Sequence, residues 1–197
     1  MPFKTPRFTR TPVRSPACVA HARVCALVCA SAGIMAVPAS AEAETRAVYL
    51  EAQDGVRWAI ADLDITDGAY DLTLRDAPFS DHFLSMRPFK CLAGAEKHWC
   101  YVPYPYENVR NIGADFTDLE YDLLFLWKGA GEYGINMWNG VYYKIEAEGD
   151  RLVGVMHEMD MDILSAPPAP GNLRPVREMD LEPADPDSHW LPRLVIE

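Results

Sequence analysis

The sequence predicts an all-β, mainly antiparallel fold, a single barrel-like or sandwich domain built on a meander. Three observations predict it. Short stretches of strand-forming residues recur between turn signals, helical periodicity is scarce, and Leu119 to Ile163 reads as consecutive strands. The length fits one domain, large enough to bury a real core.

Residues 1–41 stand apart. Lys4, Arg7, Arg10, Arg14 and Arg23, with no acid among them, lead into the apolar run Val24 to Val37, then Pro38 and Ala39-Ser40-Ala41. Basic region, short apolar core and A-x-A site are the order of a signal peptide, cut before Glu42. The run is 14 residues long, too short to cross roughly 30 Å of hydrocarbon as a helix. The mature chain is therefore expected in the periplasm or outside the cell. A β domain over 42–165 and a Pro-rich tail over 166–197 follow.

In the mature part, Val56 to Ile65 alternates, and Thr66-Asp67-Gly68 turns into Ala69 to Arg75. Asp62 and Asp64 then share one strand face, with Leu63 and Ile65 on the other. This alternation explains the acids better than a calcium loop, because glycine comes one place late for an EF-hand and position 12 is Thr73. Short helices are expected over Ser80 to Met86 and Glu107 to Ile112. Phe89 to Cys91 pairs with Lys97 to Val102. The prolines of Tyr101-Val-Pro-Tyr-Pro-Tyr106 impose extended chain and exclude a central strand. Leu123 to Lys128 reads as a strand covered on both faces. Tyr133 to Trp138 and Val141 to Ala147 flank Asn139-Gly140, the dipeptide favoured in type I′ hairpins. Glu148-Gly149-Asp150 turns into a strand from Arg151 to Ile163, whose alternation places Val153, Val155, His157, Met159, Met161 and Ile163 on one apolar face. Pro167, Pro168, Pro170, Pro175, Pro183, Pro186 and Pro192 extend the tail. Its apolar end, Trp190-Leu191 and Leu194-Val195-Ile196, is expected to dock on the β domain.

Charge and cysteines bound the function. All 29 Asp and Glu lie after residue 41, where 13 of the 18 Lys and Arg remain, a formal −16. Such a surface repels phosphate backbones and anionic lipid, which excludes nucleic acid as a partner, and attracts only cations or basic partners at long range. No second apolar segment approaches spanning length, so no membrane span is expected in the mature chain. Cys18, Cys25 and Cys29 leave with the signal. Cys91 and Cys100 remain, and an oxidising compartment favours a disulfide between them. Their spacing of eight residues is not that of a redox C-x-x-C motif.

Catalytic patterns are missing. Ser80, Ser85, Ser165 and Ser188 lie outside any G-x-S-x-G. No glycine-rich phosphate loop occurs, and His82, His98, His157 and His189 form no local metal spacing. The sequence thus points away from an enzyme, and neither metal nor cofactor is expected. An imidazole in an apolar row must be hydrogen-bonded, neutral or a ligand contact. His157, Met159 and Trp138, with Tyr143 behind them, are accordingly the expected contacts of a small apolar or amphipathic ligand. The alternative is an envelope protein-interaction or assembly module that uses Tyr101 to Tyr106 and the tail to hold a protein partner.

The stretch Phe79-Ser-Asp-His-Phe-Leu-Ser-Met-Arg-Pro-Phe-Lys-Cys91, continued by His98-Trp-Cys-Tyr-Val-Pro-Tyr-Pro-Tyr106 and Trp138-Asn-Gly-Val-Tyr-Tyr143, resembles a family of uncharacterised exported bacterial proteins. The resemblance implies export and carries over no activity.

Overall fold

The computed structural model describes residues 43–85 and 87–197, so the expected signal peptide, residues 1–41, lies outside the described residues. Among the described residues the strands are β1 (Ala43–Glu51), β2 (Arg57–Thr66), β3 (Ala69–Leu74), β4 (Ser80–Phe83), β5 (Pro88–Ala93), β6 (Lys97–Tyr101), β7 (Phe125–Gly129), β8 (Gly140–Glu148), β9 (Arg151–Met159), β10 (Leu181–Pro183) and β11 (Arg193–Ile196), with one α-helix, α1 (Thr117–Asp122). They form one antiparallel sheet in the order β3-β2-β1-β11-β9-β8-β7-β6-β5-β4, and β10 pairs with β9 beyond the end of β11. The sheet curls into a half-barrel, so the all-β, meander-based architecture expected from the sequence is the one observed. Among the described residues no helix is long and apolar enough to cross a membrane.

Local sequence explains most boundaries. The β2–β3 connection is Asp67-Gly68, with φ of 51° and 82°, between the paired Thr66 and Ala69. Positive φ at both central residues is what a type I′ turn requires, and Asp-Gly supplies it cheaply. On β2, Leu63 is fully buried while Asp62 pairs with Arg75 and Asp64 is exposed, as strand alternation requires.

The Asn139-Gly140 hairpin is not formed. Residues 130–136 make no strand, Met137–Asn139 is a 3-10 turn capped by the Asn136 side chain, and Gly140 opens β8 at φ −65°. Glycine is needed there for space: a Cβ would lie 2.5 Å from the Met159 carbonyl oxygen and 2.6 Å from Met161 Cγ. Strand β9 also ends earlier than its apolar alternation suggests. The Asp160 side chain accepts from Asp162 N–H and starts a 3-10 turn over Met161–Leu164. Ser80 to Phe83 is strand rather than helix, and Glu107 to Ile112 holds no helix but one bridge, Asn111 to Ala69.

Two large cores result. The concave face buries Val48, Leu50, Ile60, Leu63, Trp99, Phe125, Tyr143, Met156 and Leu194 with their neighbours. The outer face of β7–β9 carries a second cluster with Leu126, Tyr142 and Met159, covered by Tyr104, Tyr106, Met161 and the tail residues Val176 and Leu181. The tail then crosses back, and β11 pairs with β1 on one side and β9 on the other, an internal strand made of the last apolar residues.

Helix α1 closes one end of the half-barrel. It carries three acids, all buried, and each ties down a different segment. Asp118 holds Arg174 of the tail (3.1 Å) and Asn111 N–H (3.2 Å), Glu120 accepts from Tyr142 OH and Ile145 N–H, and Asp122 accepts from Tyr70 OH (3.0 Å) and Arg110 Nε (3.0 Å). Short strands with a free edge gain order from such fixed polar contacts.

Cys91 and Cys100 sit opposite each other on β5 and β6, fully buried and joined as a disulfide. Closing a loop this short stabilises by roughly 2–3 kcal/mol on the chain-entropy argument. Reduction should lower the urea midpoint accordingly while leaving the far-ultraviolet spectrum native. An unchanged midpoint would mean that the β5–β6 pairing needs no staple.

Candidate functional site

The end of the half-barrel opposite α1 is a mouth, where the β1–β2 and β5–β6 turns meet the ends of β7 and β9 and the starts of β8 and β11. Four of the five tryptophans gather there. Trp99 and Trp127 face each other on β6 and β7, Trp58 comes from β2, and Trp190 hangs from the tail just before β11. Trp190 stands nearly perpendicular to Trp58 (centroids 5.0 Å apart, 80°) and to Trp99 (6.3 Å, 87°), the edge-to-face geometry that aromatic quadrupoles favour. Its ring rests on Gly94, where a Cβ would lie 2.7 Å from Cε2.

His189 occupies the centre. It is 5% exposed and packs 5.6 Å from both Trp99 and Trp127. Its Nε2 lies 3.1 Å from Glu158 Oε1, which also accepts from Trp127 Nε1 at 3.3 Å. A carboxylate at Nε2 assigns the proton to that nitrogen and leaves Nδ1 as an acceptor. Burial first, and the Lys97 charge second, hold His189 below the ordinary histidine range against the opposing pull of Glu158. The neutral imidazole is thus the folded form near neutrality.

The sign of the linkage follows. When pH falls through the ordinary value of 6.5, the unfolded chain takes up this proton before the folded one does, so stability drops. The loss levels off below the lowered folded value. His189→Asn should flatten this part of the urea-midpoint profile relative to the unmodified protein, with His98 common to both. Parallel profiles would assign the proton uptake elsewhere.

Two clefts open around the tail segment that carries His189 and Trp190. One, of about 420 Å³, is lined by Gln53, Ala95, Glu96, Lys97, Asp187, Ser188, His189 and Trp190. The other, of about 530 Å³, runs along Ala52, Gln53, Asp54, Val56, Trp58 and Trp190. Gln53 and Trp190 belong to both. The segment is held across the mouth by two side chains: Gln53 donates to the Pro186 carbonyl, and Lys97 donates to that of Ser188 (2.7 Å) while lying 4.2 Å over the Trp127 ring. Among the described residues, His189 Nδ1 and Trp190 Nε1 are buried polar atoms without a hydrogen-bond partner. One is an acceptor and the other a donor, on consecutive residues.

The four residues singled out by sequence separate. Tyr143 is fully buried core, accepting from Trp99 Nε1 (3.0 Å) and donating to the Leu191 carbonyl (2.8 Å). His157 lies with Val155 on the outer face of β9 and is half-buried, its Nδ1 3.1 Å from the Val155 carbonyl oxygen. That face is not the lining of the barrel: Val155 is 56% exposed, while Leu152 and Met156 of the opposite face belong to the main core. Met159 and Trp138 do meet, in a groove of about 480 Å³ on the other side of Glu158, Met159 as buried floor and Trp138 as exposed wall. Tyr101, Tyr104 and Tyr106 turn inward, the Tyr101 hydroxyl to the Asp122 carbonyl (3.1 Å) and the Tyr106 hydroxyl to the Leu164 carbonyl (2.7 Å).

Glu158, His189 and Trp190 were not found from the sequence. In the sequence Glu158 alternates with Asp160 and Asp162 opposite Met159, Met161 and Ile163, the pattern of a solvated acidic strand face like that of Asp62 and Asp64, and its partners lie 31 residues away in the chain. The signal for the other two was present: a histidine and a tryptophan directly before an apolar terminal run, in a tail otherwise rich in proline and acids. Among the described residues no group of three or more His, Cys, Asp or Glu could hold a metal ion. No family model, curated protein or solved structure matches the chain.

Proposed function

We propose that this is an exported binding protein that takes a small amphipathic ligand at the mouth of the half-barrel. One observation carries the reading: His189 and Trp190 each hold a buried, unpartnered polar atom where tryptophan-walled clefts open. An apolar surface with a few convergent polar groups is the usual composition of a small-molecule site. The ligand's apolar part lies against Trp58 and Trp190. A hydroxyl or amide, able both to donate and to accept, matches the acceptor at His189 Nδ1 and the donor at Trp190 Nε1, and it reaches these covered atoms as the segment held by Gln53 and Lys97 lifts. The basic leader and the paired cysteines support export.

The test is extraction. The purified protein, immobilised, is incubated with an extract of the producing cells' envelope and washed, and the released small molecules are identified by mass spectrometry. Trp190→Ala and the milder Gln53→Ala, at an exposed residue common to both clefts, serve as comparisons. The expected result is one chemical class enriched on the unmodified protein and depleted on both variants, by roughly tenfold for Trp190→Ala, or about 1.4 kcal/mol. Equal recovery from all three would refute the site.

A further inference from the structure

The groove on the other side of Glu158 has a different character. Trp138 is 70% exposed, Met179 77% and Ile163 39%, and they come from three separate 3-10 turns gathered over the buried Met159. Trp138 and Met179 are two of the four most exposed large apolar side chains among the described residues. Exposed tryptophan beside flexible methionine is the composition of a surface that re-packs around a partner.

Charge says what that partner is. The ionisable residues of the groove are Glu158, Asp160, Asp180 and Glu182, all carboxylates. Two are engaged already, Glu158 with His189 (3.1 Å) and Asp180 with Arg177 (2.7 Å), the latter held down to about 2 by that guanidinium. Asp160 turns one oxygen to the Asp162 N–H, and neither it nor Glu182 makes an ion pair among the described residues. A second copy of this chain would bring the same negative charge and be repelled, as would nucleic acid or an anionic lipid surface. A small inorganic cation would leave the indole and thioether uncovered.

We propose that this groove docks a basic amphipathic polypeptide segment, an apolar side chain seated between Trp138 and Met179 over Met159, with flanking Lys or Arg against Asp160 and Glu182. Electrostatic attraction speeds encounter, and the tryptophan contact sets the lifetime of the complex.

The experiment titrates the ¹⁵N-labelled protein with a synthetic peptide of alternating Lys and Leu, and in parallel with one of alternating Glu and Leu. The expected result is a saturable shift of the Trp138 indole N–H with the Lys peptide only, weaker as salt is raised. Trp138→Ala should cost roughly tenfold in affinity or more. Glu182→Gln should cost several-fold, and both side chains are exposed and lie outside the core clusters. Trp190→Ala should leave the affinity unchanged, which separates this groove from the tryptophan clefts. Equal binding of the Glu peptide, binding that survives Trp138→Ala intact, or no shift at Trp138 would each overturn the proposal.

Discussion

Trp99→Ala should destabilise the protein by about 3–5 kcal/mol, the range for deleting a large aromatic from a filled core. Trp99 is fully buried and belongs to the main cluster. It also starts a relay, Trp99 Nε1–H to the Tyr143 hydroxyl and on to the Leu191 carbonyl. Truncation removes the ring on which His189 and Trp190 pack, and leaves the buried Tyr143 oxygen without its donor. The Tyr143 hydroxyl titrates far above its ordinary range because it is enclosed, so it stays neutral and keeps donating to Leu191. Chemical denaturation of the variant measures the loss. A cost below about 1 kcal/mol would mean that the concave face can collapse around the gap, contrary to a close-packed interior.

Glu120→Ala is expected to be nearly as damaging for a different reason. Glu120 accepts from Tyr142 OH and Ile145 N–H, and both donors are buried. Each donor left unsatisfied costs about 1–3 kcal/mol. Burial raises the Glu120 carboxyl above the usual carboxylate range, opposed by these two donors. Glu120→Gln keeps an acceptor oxygen in place and should recover most of the loss. Amide exchange at Ile145 reads the effect locally: fast in the Ala variant, protected in the Gln variant. Equal exchange in both would mean that the Ile145 N–H does not depend on the side chain.

What could be read from the sequence divides along physical lines. Strands β2, β3, β8 and the first nine residues of the predicted Arg151 strand follow from alternation and from Asp-Gly or Gly-Asp turns, and β5, β6 and β7 from short strand-forming runs, because period, composition and turn chemistry are local properties. Cys91 and Cys100 fall opposite each other for the same reason. Asn139-Gly140 misled because the dipeptide satisfies two demands, positive φ and absence of a Cβ; here only the second operates, against Met159 and Met161. The apolar row through Val153, Val155 and His157 misled because a strand in a curled sheet can be apolar on its outer face too, where Met159 meets a second core. No local pattern marks α1 either: its acids are buried because Arg110, Arg174, Tyr70 and Tyr142 arrive from elsewhere in the chain. The mouth is the extreme case, assembled from β2, β6, β7, β9 and a tail segment 31 residues beyond Glu158.

The most direct measurement is native mass spectrometry of the protein purified from its own producing cells, set against its denatured, unreduced mass. An adduct seen only in the native spectrum, and absent from the Trp190→Ala variant, is the expected result. The same adduct on both proteins, or a bare native mass for both, would contradict a ligand site at the tryptophan mouth.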